Sequence, residues 1–240
     1  MGKYTNGLLK ALAARFEVVG YKRPGGFLVQ PSAAVPMVED VVACDLLLNC
    51  AGPFWDVNRI LAPAYGPGRP LVASIFYDAI PWVYADLYLK DPAVRTAYHN
   101  RCVEIYAQAD LVCGISASAT ADAIRFGYAD PERAVTVWTG VEAVPCEPGP
   151  AGAALGLDRG YFLNVSGEDH RKNPRALVEG FLRSRAKARR GLVLVVSNDA
   201  QTRFSERLRA EFGDLRRQGV HVLGETGERA LGSLYRDCDA

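Results

Sequence analysis

The chain has 240 residues, of which 49% are hydrophobic and 23% charged, as in soluble globular proteins with room for one large or two modest domains. Its net charge of +1 provides no general attraction to nucleic acid or to anionic membranes, so we expect no nucleic-acid partner. The sequence has no apolar run of the roughly 18 residues that span a bilayer and no C-x-x-C pair among its six cysteines, which together favour a reduced, cytoplasmic location.

Helix and strand patterns alternate through the first part of the chain. A helix capped by Thr5 or Asn6 is expected to open it, and Ser116 is a good N-cap for a later helix that ends near Gly127. Other helices are predicted at residues 54–61 and from Pro92 to about residue 109. The predicted strands lie at residues 17–21, 44–49, 70–77, 110–115 and 134–138.

The segment at residues 143–152 is rich in Pro and Gly and lacks apolar periodicity, which is typical of an interdomain linker. We therefore predict two α/β domains, at residues 1–142 and 158–240, joined by a linker at 143–157. Parallel sheets usually begin with a strand, yet no strand pattern precedes the first helix or follows the last one. The sequence thus predicts a chain cut at both ends, with the first domain lacking its opening strand and the second domain incomplete.

A loop with two adjacent cations, Arg171 and Lys172, follows an apolar strand predicted at residues 161–165. Asn173 is a good N-cap and Pro174 a good first helical residue, so the free N–H groups of the next helix are expected to face this loop. Backbone donors, a positive helix dipole and two cations suit a phosphate or a diphosphate. The alternative interpretation is an exposed basic pair at an ordinary helix start.

The helix after this loop is predicted to run to about residue 189, and a buried strand follows at residues 192–196. Strand, helix and strand form one right-handed crossover unit. Ligands of such sheets bind beyond the carboxyl ends of the strands, which is where the cationic loop lies.

Six short motifs resemble, in order, those of the family 4 glycosyltransferases, which have the two-domain fold called GT-B. The resemblance covers nearly the whole chain, and its variant Tyr77-Asp78-x-Ile80-Pro81 is similar to the bacterial branch that builds surface polysaccharides. The motifs are Gly2-Lys3-Tyr4, Asp78-Ala79-Ile80-Pro81, Ile115-Ser116-Ala117-Ser118, Val137-Trp138-Thr139-Gly140-Val141, Arg171-Lys172-Asn173, and Val222-Leu223-Gly224-Glu225 leading to Leu234-Tyr235-Arg236-Asp237-Cys238-Asp239-Ala240.

The resemblance implies two Rossmann-like domains that carry out retaining, metal-independent transfer of a hexose. The donor would be a UDP-, GDP- or dTDP-sugar held by the second domain, and the acceptor a glycan or a lipid-linked sugar held by the first. No cofactor is implied, and the location would be the cytoplasm, with peripheral contact at the inner face of the membrane as an option. The family's donor-binding Glu-x7-Glu motif falls beyond residue 240, so we expect this chain to bind the donor weakly and to be inactive alone.

The resemblance also assigns donor-binding residues in the second domain. Lys172 takes the contact with the donor diphosphate and Arg171 assists it, although Glu168 stands where many relatives carry another Arg. Cations and helix N–H groups at this place would stabilise the negative charge of the departing nucleoside diphosphate. Glu225 and Thr226 match the loop that lies near the nucleotide base, and a turn that caps the following helix is the alternative.

In the first domain, Gly2 and Lys3 resemble the glycine loop that approaches the donor phosphates, where glycine permits close backbone contact. The alternative is a frayed terminus. Asp78 follows a strand and is the candidate catalytic residue, because its carboxylate could orient an acceptor hydroxyl or balance an oxocarbenium-like centre. The alternative is an Asx turn before Pro81.

Two functions of other classes compete with sugar transfer. A glycosyltransferase-like subunit could bind or activate a partner without catalysis. A serine hydrolase could use Ser116, which follows Gly114 in a partial G-x-S-x-G elbow, with His170 or His221 as its base. Helix capping by Ser116 is the competing explanation. The Asp237-Cys238-Asp239 triplet follows a helix rather than a strand, so we predict no metal site there.

Overall fold

The computed structural model describes residues 2–18, 20–21, 37–38, 44–50, 52–53, 68–140, 144–157, 160–166 and 169–240. The chain divides into two compact units, residues 1–142 and 143–240. Each unit has parallel β-strands and a hydrophobic core of its own. None of the described helices is both long enough and apolar enough to cross a bilayer.

The described part of the first unit contains six strands and five α-helices. Strands β1 and β2 pair with each other, while β3, β4, β5 and β6 form a parallel sheet in that order. The strands are β1 (Gly20–Tyr21), β2 (Met37–Val38), β3 (Leu46–Asn49), β4 (Leu71–Phe76), β5 (Leu111–Gly114) and β6 (Ala134–Thr136). The helices are α1 (Gly2–Ala13), α2 (Ile80–Val83), α3 (Ala85–Tyr88), α4 (Pro92–Ala107) and α5 (Ala117–Arg125).

Apolar side chains cover both faces of the four-stranded sheet. On one face, Val72 and Phe76 of β4 belong to a core shared with Ile105 and Tyr106 of α4. On the other face, residues of β4 and β5 pack with Leu8 of α1. Because β4 is buried on both sides, its sequence is almost continuously apolar rather than alternating.

Most of the elements predicted for this unit are confirmed with slightly shorter bounds. The strands predicted at 44–49, 70–77, 110–115 and 134–138 appear as β3 to β6, and the one predicted at 17–21 is reduced to β1. Helix α4 begins as expected after Asp91, whose Oδ1 accepts hydrogen bonds from the N–H groups of Ala93 and Val94 at 2.7 and 3.2 Å. The helix predicted at 54–61 lies outside the described residues.

The beginning of α1 differs from the prediction. The helix begins at Gly2 and not after a cap at Thr5 or Asn6. Glycine is a poor helix former and Thr and Asn are good caps, so local preference alone favoured the later start. Packing of Leu8 already holds the helix in place. Each residue added to its N-terminal end then gains one hydrogen bond, and this gain outweighs the preference for a later start.

The second unit contains three described strands, β7 (Tyr161–Val165), β8 (Gly191–Val195) and β9 (Val220–Leu223). They form a parallel sheet in the order β7-β8-β9. Its α-helices are α6 (Ala151–Ala154), α7 (Pro174–Arg183), α8 (Asn198–Phe212) and α9 (Glu228–Asp237). Strands β7 and β8 confirm the predictions at 161–165 and 192–196, whereas α7 ends at Arg183 and is followed by a 3-10 turn at Arg185–Ala188.

Helices pack on both faces of this sheet. Val178 and Phe181 of α7 and Phe204 of α8 share one core with β8 and β9. Tyr161 of β7 and Leu234 of α9 share a core on the opposite face. The sheet is therefore the middle layer of a three-layer α/β unit.

Residues 239–240 lie alongside the free edge of β7. The N–H of Asp239 donates to the Tyr161 carbonyl at 2.9 Å, and the N–H of Leu163 donates to the Ala240 carbonyl at 2.7 Å. The spatial order is thus 239–240, β7, β8, β9, although the chain visits β7, β8 and β9 first. In a doubly wound sheet the strand order reverses at this edge of the first strand.

Candidate functional site

Strand β7 pairs with β8 on one side and is hydrogen-bonded to residues 239–240 on the other, the edge at which the strand order of a doubly wound sheet reverses. Beyond the carboxyl ends of the strands at such a reversal, the connections leave in opposite directions and a crevice opens. The described residues 166 and 169–173 follow β7 at this end. The fold therefore places the predicted anion loop at the position where doubly wound sheets bind their ligands.

The end of this loop is shaped by Asn173. This residue has φ 44° and ψ 51°, the left-handed conformation that Asn tolerates better than most residues. Its side chain accepts the Ala176 N–H at 3.3 Å, and Pro174 is the first residue of α7. The predicted cap is confirmed, and it occupies one backbone donor that the sequence alone left available to a ligand.

Lys172 is the exposed cation of the loop that has no ion-pair partner among the described residues. It ends a 3-10 turn at His170–Lys172, in which its N–H donates to the Asp169 carbonyl at 2.9 Å. Within the described residues, no ion pair or hydrogen bond of its ammonium group is observed. An unpaired ammonium group one residue before a capped helix is available to an incoming anion.

Arg171 has a different environment from Lys172. Its guanidinium Nη2 lies 2.9 Å from Asp169 Oδ2, and its backbone N–H donates to Oδ1 of the same carboxylate at 2.9 Å. The carboxylate neutralises much of the arginine charge and fixes the turn before Lys172. The sequence predicted two cations for a ligand, but the structure shows one unpaired cation and one that is paired within the loop.

The Glu225–Thr226 loop leaves the same edge of the sheet as the anion loop. The last residues of the three strands are in register, Val165 opposite Val195 and Val195 opposite Leu223. Two strand spacings, about 10 Å, separate β7 from β9. Both predicted donor-binding segments of the second unit therefore lie at one edge.

Thr226 has a feature that the sequence did not predict. Its hydroxyl oxygen is buried and has no hydrogen-bond partner in the described part of the chain. The α9 helix begins directly after Gly227 without a side-chain cap, while Glu225 is exposed and makes contacts of its own. Buried hydroxyl groups are usually hydrogen-bonded, so Thr226 is suited to a polar ligand atom.

Asp78 lies two residues beyond β4 and is exposed. Its Oδ1 accepts the N–H of Ile80 at 2.9 Å, which is the predicted Asx turn at the start of α2. The neighbouring Tyr77 hydroxyl donates to the Cys50 carbonyl at 3.2 Å. The turn uses one carboxylate oxygen, so a catalytic role for the other oxygen stays a prediction.

The other predicted site residues of the first unit are Gly2, Lys3 and Ser116. Gly2 and Lys3 lie in the first turn of α1 and not in a loop before a helix, so their donor-binding role stays a prediction without the expected loop. Ser116 caps α5 by accepting the Ala119 N–H at 3.1 Å. The described contacts of Ser116 are therefore those of a helix cap. His221, the other candidate, is buried in β9 of the second unit.

Each of the two units has the parallel sheet and helices of a Rossmann-type α/β fold of the GT-B-like kind. Among solved structures, the chain is similar to Anabaena Alr3699/HepE in complex with UDP-glucose, with a TM-score of 0.53 and 16% identity over 72% of this chain and 46% of that chain. It is also similar to Alr3699/HepE in complex with UDP and glucose, with a TM-score of 0.54 at the same identity and coverage.

The chain spans about half the length of HepE. No family model and no curated protein matches the sequence. At 16% identity the likeness establishes the fold, and what this chain binds has to be inferred from its own residues.

Proposed function

We propose that the protein is a glycosyltransferase that uses a nucleotide-sugar, and that the loop at residues 166–173 holds the diphosphate of the donor. The observation that carries the proposal is the position of Lys172, an exposed ammonium group without an ion-pair partner among the described residues, just before the capped start of α7. The fold of HepE, which was crystallised with UDP-glucose and with UDP and glucose, supports the same ligand class.

The chemistry of sugar transfer explains why a single well-placed cation matters. When the bond from the hexose to the diphosphate breaks, negative charge develops on the leaving phosphate oxygens. An ammonium group and a helix N-terminus that already point at these oxygens stabilise that charge without reorganisation of solvent. Lys172 supplies the charge in this proposal, while Arg171 holds the turn through Asp169 and contributes less directly.

We propose retaining, metal-independent transfer of a hexose to a glycan or a lipid-linked sugar in polysaccharide biosynthesis, as in the family 4 enzymes that the sequence resembles. Asp78 would orient the acceptor hydroxyl, since one of its carboxylate oxygens is not used by the Asx turn. Glu225 and Thr226 would lie near the base, with the Thr226 hydroxyl accepting or donating the hydrogen bond that it lacks in the described protein.

The direct test is calorimetric titration of the 240-residue chain with UDP. We expect binding, and we expect Lys172→Ala to weaken it by about tenfold or more, since it removes a charge-assisted contact. Arg183→Ala is the matched control, because Arg183 lies at the other end of the same helix, 78% exposed and paired with Glu179. Arg171→Ala should fall between the two variants.

Two outcomes would contradict the proposal: no binding of UDP at millimolar concentration, or equal loss of affinity in Lys172→Ala and Arg183→Ala. Turnover is measured separately, as release of UDP from UDP-glucose in the presence of an acceptor glycan. If UDP binds but no UDP is released from UDP-glucose, the non-catalytic subunit is favoured over the enzyme.

A further inference from the structure

Three strands of the first unit end in register, and each is followed two residues later by a side chain of distinct chemistry. Phe76 of β4 is opposite Gly114 of β5, which is opposite Thr136 of β6. The ladder continues by one more step, because Ile115 N–H donates to the Phe76 carbonyl at 3.1 Å and Val137 N–H to the Gly114 carbonyl at 2.8 Å. Asp78, Ser116 and Trp138 each lie two residues beyond these paired ends.

These three residues, called the edge row from here on, leave the sheet from paired strand ends that lie about 5 Å from one to the next. Phe76 belongs to the core on the α4 and α5 side and Thr136 bonds Thr120 of α5 at 2.8 Å, so the alternation of an extended chain would bring residues two positions further to this face. The edge row therefore begins on one face, at the carboxyl end of the sheet.

The members of the edge row offer complementary contacts to a sugar. Trp138 is 73% exposed, the highest value among the exposed large hydrophobic residues of the described chain. Ser116 accepts a hydrogen bond from Ala119, which leaves its own hydroxyl hydrogen able to donate. Asp78 has one carboxylate oxygen outside the Asx turn, and it can accept a strong hydrogen bond from a hydroxyl group.

We propose that the edge row binds a pyranose ring of the acceptor, with the apolar face of the sugar on the Trp138 indole and its hydroxyl groups bonded to Ser116 and Asp78. This inference rests on the proposed glycosyltransferase function and narrows the acceptor to a glycan recognised by its sugar ring. An indole buries a large apolar area with little loss of conformational freedom, and its N–H adds a directional donor.

The charge and hydrogen-bonding groups of the edge row disfavour ligands other than a sugar. The Asp78 carboxylate repels a phosphate or a nucleotide, and a lipid chain could not hydrogen-bond to the carboxylate and the hydroxyl that flank the indole. A neutral ring with many hydroxyl groups satisfies all three side chains at once. Thr139, which is exposed beside Trp138, extends the polar surroundings of the indole.

The test uses the indole N–H signals of the full chain in a ¹⁵N-correlated NMR spectrum. The chain has three tryptophans, Trp55, Trp82 and Trp138, and therefore three indole N–H signals. The signal that is lost in Trp138→Phe belongs to Trp138. Titration with methyl α-D-glucopyranoside and with maltohexaose should shift the Trp138 signal saturably, with a dissociation constant on the order of millimolar. Trp82, which stacks on His99 with ring centroids 4.8 Å apart, is the internal reference and should not shift. Glycerol, a polyol without a ring, should leave all three signals in place.

Variants separate the members of the edge row. Trp138→Ala should weaken sugar binding by about tenfold or more, and Trp138→Phe by less, since a smaller aromatic ring remains. Asp78→Asn keeps an oxygen for the Ile80 N–H and removes only the charge, so it should reduce sugar binding without unfolding α2.

Shifts of Trp82 and Trp138 that are equal, or sugar binding that survives in Trp138→Ala, would overturn the inference. The UDP titration distinguishes this failure from failure of the proposed function. A chain that binds UDP through Lys172 but gives no Trp138 shift refutes the edge row alone. A chain that gives the Trp138 shift but binds no UDP keeps the sugar site and refutes the donor proposal.

Discussion

Gly232 of α9 lies against the carbonyl oxygen of Pro145 with no space for a Cβ atom between them. Hydrogen bonds continue this contact along the helix. The Glu147 N–H donates to Ser233 Oγ at 2.7 Å, and the Ala151 N–H donates to Asp237 Oδ2 at 2.7 Å. The Pro- and Gly-rich segment that the sequence suggested as a linker thus packs along one helix of the second unit over residues 145–151.

Gly232→Ala should separate this segment from α9. The added Cβ would overlap the Pro145 carbonyl, and overpacking of this kind costs about 1–3 kcal/mol. That cost exceeds the gain in helix propensity from Gly to Ala, which is about 1 kcal/mol. The measurement is urea-induced unfolding of the second unit, followed by circular dichroism.

Gly180→Ala is the matched control, because Gly180 is also helical and a Cβ there would meet nothing within 4 Å. We expect this variant to be more stable than the parent by about 0.5–1 kcal/mol. Equal effects of the two substitutions would show that the Pro145 contact does not hold the segment.

Because Asp110 pairs with Arg69, we expect the first unit to lose stability in acid. Both Asp110 oxygens accept from the Arg69 guanidinium at 2.6 Å, and Oδ2 also accepts the Val72 N–H at 2.9 Å. The Arg69 hydrogen bonds, and next the Val72 bond, lower the pKa of Asp110 from 3.8 to about 2. A lowered pKa means that the stabilisation is present above the unfolded value and is lost as the pH falls from about 4 to 2.

Asp110→Asn should therefore destabilise the first unit at neutral pH and have a smaller effect near pH 2. Urea unfolding at several pH values measures this difference. Asp86→Asn is the control, because Asp86 pairs with Arg95 at 2.8 Å but its side chain is 99% exposed, and exposed pairs contribute little. A destabilisation by Asp110→Asn that does not change with pH would refute the role of the carboxylate charge.

The sequence predicted the anion loop and the helix after it because Asn173 and Pro174 have strong local preferences. It did not predict the pairing of Arg171 with Asp169, because a contact between residues two positions apart depends on the turn that the loop adopts. Helix α8 was also missed, since most of its residues are polar and, over residues 201–212, only Phe204 and Leu208 are buried.

The edge row shows a second limit of the sequence. Asp78, Ser116 and Trp138 are separated by 38 and 22 positions, and only the pairing register of β4, β5 and β6 brings them into one row. Local patterns fix where a strand lies, but they do not fix which residue it places opposite its neighbour, because register is set by tertiary packing.

Asn173 combines two roles that substitutions can separate. Its side chain caps α7 through the Ala176 N–H, and its backbone has a positive φ of 44°. Asn173→Gly removes only the cap, whereas Asn173→Ala removes the cap and strains the backbone by a further 1–2 kcal/mol, roughly. We expect thermal unfolding of the second unit to show a larger loss for Ala than for Gly.

UDP titration of the same two variants tests the link between this turn and the anion loop. The glycine variant keeps the turn accessible and should retain more UDP affinity than the alanine variant. Equal affinity in both variants, with unequal stability, would show that the conformation at residue 173 does not position Lys172.

Because His221 is buried, we expect the second unit to lose stability in mild acid. The residue is 7% exposed in β9, and its Nδ1 is buried without a hydrogen-bond partner in the described part of the chain. Burial, with a smaller contribution from Arg216, lowers the pKa of His221 below 6.5. The unfolded chain therefore binds the proton more readily than the folded one, and stability falls as the pH drops below about 6.5.

His221→Leu removes both the titration and the unpaired nitrogen. Since replacing an unsatisfied buried polar group by an apolar one is neutral or stabilising by up to about 1 kcal/mol, the variant should equal or exceed the parent near pH 7. Its advantage should grow as the pH falls to about 5, because only the parent has to keep a buried histidine neutral. Urea unfolding at the two pH values measures this, with His99→Phe in the first unit as the control. A constant difference between parent and His221→Leu across this range would show that the buried ring does not titrate on unfolding.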